Sequence, residues 1–200
     1  GIVGREVALR GFGVVRGAGA ISPSGLEGSG LRARFERLHP GVFFLDPDAV
    51  PELEHYLRLH GVLEAGEVVR SGAAGLGGET GCTVRLVTSR RPLIVKQSRP
   101  WMEAHPEVSV PWDRALREID FYEATAGEPV VSRGMPALLY ADRASRLMVL
   151  EDLGAGGELT SVYRGKVLTE RSVDLLADYL SALHAFGGGR LASGVAMGDE

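Results

Sequence analysis

From Glu67 the chain takes on a period of two. Residues 68–71 read as one strand. Cys82, Val84 and Leu86 alternate with Thr83, Arg85 and Val87 in a second, and Pro92-Leu93-Ile94-Val95-Lys96-Gln97 forms a third. Alternation over runs of this length marks half-buried strands. Ser71-Gly72-Ala73-Ala74-Gly75-Leu76-Gly77-Gly78-Glu79-Thr80-Gly81 joins the first two, and Ser89-Arg90-Arg91 turns the chain into the third. The sequence therefore predicts a three-stranded antiparallel meander whose first connection is dense in glycine.

Helices and two further strands flank this meander. A helix is expected over 48–60, where Asp48 can cap and Leu53, Tyr56, Leu57 and His60 recur at helical spacing, with Gly61 as its stop. A second is expected over 111–125, with Trp112, Ala115, Leu116, Ile119 and Tyr122 as an apolar stripe. Strands at 137–141 and 146–153 surround the turn Asp142-Arg143-Ala144-Ser145, and Gly154-Ala155-Gly156-Gly157 breaks the pattern like a hinge. Thr169 can cap a last helix over 170–186, with Leu176, Tyr179, Leu180 and Leu183 on one face and Gly187-Gly188-Gly189 as its end. Residues 1–37 carry nine glycines in the first 30 positions and no periodicity, and read as a flexible leader.

Composition narrows the function classes. With 200 residues, 44% of them hydrophobic and 24% charged, the chain can bury one sizeable core or two small ones. It has no apolar run of about 18 residues, which argues against a membrane-spanning helix. The single cysteine, Cys82, excludes an internal disulfide and favours a reducing, cytoplasmic setting. A net charge of −4 argues against a nucleic-acid binder. Among the 22 basic residues only Lys96 and Lys166 are lysine.

Lys96 sits inside an apolar strand on the face shared with Ile94. It either snorkels to solvent or serves as a fixed cation for an anionic group. A chain that otherwise uses arginine favours the second reading, because a compact ammonium suits phosphate oxygens in a narrow site. The glycine turn offers backbone amides that can approach a phosphate closely. Glu118 either pairs with Arg114 one helical turn away or orients Lys96. The Gly-x-x-x-x-Gly-Lys-Ser/Thr phosphate loop is absent, and Gly11-Phe12-Gly13 and Gly17 are not followed by the helix that a dinucleotide fingerprint requires. The five histidines and Cys82 show no metal-ligand spacing.

Strand, glycine turn, strand, lysine strand, glutamate helix, two strands and glycine hinge together resemble the N-terminal lobe of the protein-kinase-like fold. Leu93-Ile94-Val95-Lys96-Gln97, Arg99-Pro100-Trp101, Pro111-Trp112-Asp113-Arg114-Ala115 and Met148-Val149-Leu150-Glu151-Asp152-Leu153 are similar to segments of the aminoglycoside phosphotransferase family, nearest its methylthioribose-kinase-like branch. So are Leu159-Thr160-Ser161-Val162-Tyr163-Arg164-Gly165 and Leu180-Ser181-Ala182-Leu183-His184.

The resemblance implies an α+β fold: a five-stranded antiparallel sheet plus helix over 38–153, then over 154–200 a hinge and the start of a helical lobe. It implies that Lys96 holds the α- and β-phosphates of ATP and pairs with Glu118. Gly75, Gly77, Gly78 and Gly81 would lie over the nucleotide, although Glu79 and Gly81 stand where that branch carries asparagines. Backbone groups of Glu151, Asp152 and Leu153 would meet the adenine, with the Leu150 side chain beside it. The implied reaction is transfer of the γ-phosphoryl group to a hydroxyl of a small sugar-like acceptor, with Mg²⁺. The family's catalytic loop and metal ligands follow the helix that ends near Phe186. Those residues are not present before Glu200, so this stretch is expected to be inactive alone. The alternatives are a non-catalytic ATP-binding or interaction module and a gene fragment. The apolar face of the last helix is an expected site of self-association.

Overall fold

The computed structural model describes residues 25–74, 80–154, 162, 163, 165 and 167–193. They divide into two compact units. One comprises residues 25–120 with 138–154; the other comprises 121–137 with the described residues beyond 154.

The first unit holds a five-stranded antiparallel sheet in the order β1-β2-β3-β5-β4. The strands are β1 Val69–Ala74, β2 Gly81–Thr88, β3 Pro92–Ser98, β4 Leu138–Asp142 and β5 Leu147–Glu151. With the helices α1 Gly25–Leu38, α2 Val50–Leu59, α3 Arg114–Thr125, α4 Pro129–Arg133 and α5 Glu170–Ser193, the chain is α+β. Burial alternates along β2 and β3 as the sequence pattern demands. Cys82, Val84 and Leu86 of β2, Leu93 and Val95 of β3, and Leu147 and Val149 of β5 face one core. Leu53, Tyr56 and Leu57 of α2 complete it. α2 lies so close to the sheet that a Cβ on Gly72 would stand 2.7 Å from a Val50 methyl.

Several boundaries differ from the sequence reading, each for a local reason. The expected leader is helical from Gly25, because Phe35 supplies α1 with a fully buried anchor. Its ring meets those of His39, Phe44, Trp101 and Trp112. Residues 1–24 lie outside the described residues. Asp48 does not cap α2; the N-cap is Ala49, without a side-chain bond, and a proline in the first turn starts the helix instead. Gly61, at φ +68°, follows the end of α2 as expected. α3 begins at Arg114, not 111, because the Trp112 indole donates to the Ser98 carbonyl at 3.1 Å and holds the preceding segment against β3.

In the second unit, Thr169 caps α5 through its hydroxyl, which accepts the Ser172 amide at 3.1 Å. α5 does not stop at Gly187–189 but runs to Ser193. Each glycine costs about 1 kcal/mol in a helix, and Arg190, Leu191 and Ala192 behind them are strong helix formers. Tyr179 packs on α4 so tightly that a Cβ at Gly134 would stand 2.5 Å from its ring. Of the apolar face expected on α5, Tyr179 is thus buried while Leu180 is 41% exposed. Among the described residues, no helix is long and apolar enough to cross a membrane.

Two polar networks tie the first unit together. Gln97 points into the core. Its Oε1 accepts the Leu45 amide at 2.8 Å and the Arg99 guanidinium, and its Nε2 donates to the carbonyls of Phe43 at 2.6 Å and Ser145 at 2.9 Å. Arg99 is equally buried; it also donates to the Leu45 carbonyl and to Glu103 at 3.0 Å, and its guanidinium lies 3.8 Å from the Phe44 ring centre. In the second network, Tyr56 of α2 donates to Asp142 at the end of β4 at 2.5 Å. Burial opposes the charge on Asp142, but hydrogen bonds from Ser145, Tyr56 and the Ala144 amide outweigh it and hold this carboxyl below its ordinary value.

Two predictions follow from this packing. Phe35→Ala should destabilise the chain by about 3 to 5 kcal/mol in urea unfolding; a change below 1 kcal/mol would mean that α1 is not part of the folded unit. Asp142, with its folded value depressed, contributes stability that is present above its unfolded pKa of 3.8 and lost as pH falls below it. Tyr56→Phe should therefore lose stability at pH 6 and lose less of it on acidification to pH 3, read from the midpoints of paired denaturant titrations.

Candidate functional site

The face of the sheet opposite the core carries the candidate site. Along β3 the outward positions are Ile94 and Lys96. Lys96 lies in register with Thr83 of β2 and Met148 of β5, and Ile94 with Arg85 and Leu150. Two cross-strand rows result, two residues or about 7 Å apart along the strand. One is centred on a cation and the other on an aliphatic side chain. Met148 and Leu150 are both buried.

The Lys96 Nζ donates to Glu118 Oε1 at 2.5 Å, and the two side chains are 35% and 38% exposed. Of the two sequence readings for Glu118, the structure therefore shows the pair with Lys96. Arg114 turns away and donates to the carbonyls of Pro111 at 2.9 Å and Thr80 at 2.7 Å. Glu118 reaches the sheet because Ala115 and Ile119, its neighbours on α3, are buried and fix the rotation of the helix. The ammonium is partnered yet remains accessible, the state needed to receive an anion.

Gly75, Gly77 and Gly78 lie outside the described residues, as do Lys166 and the hinge glycines Gly156 and Gly157. Gly81 opens β2, and a Cβ there would stand 2.9 Å from the Gln97 carbonyl. Close strand approach thus accounts for this glycine without any ligand. Glu151 ends β5, and Asp152 and Leu153 follow it as the chain leaves the sheet.

The Asp152 side chain makes two bonds at the end of β5. Its Oδ2 accepts the Arg85 Nε at 2.5 Å, and its Oδ1 accepts the Gly154 amide at 2.7 Å. The signal lay in the spacing, since an Asp two residues before a glycine can bond the backbone ahead of it. Gln97 and Arg99 belong to motif segments singled out in the sequence, and the structure places both in the buried network instead of at the site. Among the described residues, no group of three or more His, Cys, Asp or Glu side chains could hold a metal ion.

A scan of protein-family profiles finds no match to this chain, and no curated protein matches it.

An ion pair this exposed contributes little to folding, because solvent screens it and two long side chains must be ordered. Lys96→Met and Glu118→Gln should each shift unfolding stability by less than about 1 kcal/mol. Losses of 3 kcal/mol or more in thermal or urea melts would show the pair to be a structural brace.

Proposed function

We propose that the chain is the ATP-binding portion of a small-molecule phosphotransferase with a protein-kinase-like N-terminal lobe. The observation that carries this reading is the Lys96–Glu118 ion pair, set on the central strand of a five-stranded antiparallel sheet. The resemblance of the surrounding motifs to the aminoglycoside phosphotransferase family supports it. So does the layout of the face. A fixed but accessible cation suits phosphate, and the half-buried Ile94 adjoins it on the same face.

In this reading Lys96 neutralises charge on the α- and β-phosphates, and Glu118 keeps the ammonium from swinging to solvent. The Leu150 side chain lies beside the adenine, and the backbone of Glu151, Asp152 and Leu153 borders it. These residues bind and orient the nucleotide, which is most of what phosphoryl transfer asks of a protein. Mg²⁺ would supply the remaining charge neutralisation, although no group of acidic, His or Cys side chains among the described residues fits it. The acceptor is a hydroxyl of a small, sugar-like molecule.

Titration of a fluorescent ATP analogue tests the site. Lys96→Met should weaken binding at least tenfold, about 1.4 kcal/mol, and Glu118→Gln should weaken it less. Equal affinities for wild type and Lys96→Met would refute Lys96 as a phosphate ligand.

A further inference from the structure

The second ion pair on this face has a geometry unlike that of a surface pair. Arg85 stands on β2 in register with Ile94, and Ile94 with Leu150. To reach the chain beyond β5, the Arg85 side chain must extend across β3, since neighbouring strands lie about 4.8 Å apart. Two residues beyond Leu150 it meets Asp152, to which it donates at 2.5 Å. Arg85 is 50% exposed, but the Asp152 side chain is only 7% exposed. A carboxylate so nearly dry needs its partners: losing one leaves charge without compensation. Its second oxygen accepts the Gly154 amide, and Gly154 has φ +75°, a conformation that side-chain-bearing residues rarely adopt. One carboxylate, braced by one arginine, thus ties together the backbone turn by which the chain leaves the sheet.

We infer that Asp152 is a positioning residue for the nucleobase, with Arg85 as its brace. Together they hold 152–154 in the conformation that borders the base and gives the site its preference for adenine. This inference rests on the nucleotide-site reading above. It adds that base selectivity resides in a side-chain pair, separate from the phosphate affinity supplied by Lys96.

The test compares ATP and GTP affinities by competition against a fluorescent ATP analogue on the full 200-residue chain. Wild type should prefer ATP. Asp152→Ala should lower ATP affinity about tenfold, the size expected when a charged hydrogen-bond partner is removed, with little change for GTP. Arg85→Ala should do the same, and the double variant should be no worse than either single one, because the two act as a unit. Asp152→Asn, which keeps an oxygen for Gly154, should retain part of the preference. Lys96→Met should weaken both nucleotides equally. Circular dichroism melts establish that each variant is folded. If Asp152→Ala unfolds the chain, the inference is judged on Asp152→Asn and Arg85→Ala alone. A wild type that binds both nucleotides alike, or folded variants that keep the wild-type ratio, overturns the inference while leaving the nucleotide site standing. A wild type that binds neither overturns the reading beneath it.

Discussion

Gln97 is the constraint on which the first unit depends. It is a polar side chain at a core position of the central strand, and such a group is tolerated only if its amide is satisfied. Four hydrogen bonds satisfy it, to Leu45, Phe43, Ser145 and Arg99. Those partners come from the segment before α2, the turn between β4 and β5, and the chain just past β3. A slip of β3 by one residue would break all four bonds and turn Val95 and Leu93 to the opposite face. The buried amide therefore specifies register more than it adds stability, and Arg99 extends the same logic by making the Leu45 carbonyl its own acceptor.

That register determines what the opposite face can be. With Leu93, Val95 and Gln97 inward, Ile94 and Lys96 must point outward, and α3 meets Lys96 through Glu118. The inward network accounts for the fold, while the outward pair contributes little to it. The division is a physical reason to look for function on the Lys96 face. The energy of folding does not require a lysine there.

Much of this was legible along the chain. The period-two runs gave β2 and β3, the capping threonine gave the start of α5, and Gly61 gave the stop of α2. The pairing of Lys96 with Glu118 was one of two readings that the residues allowed. What escaped notice were interactions between distant segments. α1 lay hidden in a glycine-rich stretch because Phe35, its buried anchor among the described residues, is recognised only by the rings of Phe44, Trp101 and Trp112 around it. Gln97 and Arg99 looked like motif residues and proved to be core. Asp152 looked like a strand-end residue, and its arginine partner lies 67 positions away.

By itself the sequence determined where β2 and β3 lie and which face of each is apolar, because side-chain alternation is a local property of the extended backbone; β1, whose burial does not alternate, runs on to Ala74, into the stretch the sequence assigned to the glycine turn. The sequence also singled out one lysine within an apolar strand. Only the tertiary structure decided the order of the strands, which of Arg114 and Lys96 the Glu118 carboxylate would meet, and that Asp152 and Arg85 would meet at all. Each of these depends on the rotation of a helix or the register of a strand. Packing between segments far apart in the chain sets both, and no local pattern encodes it.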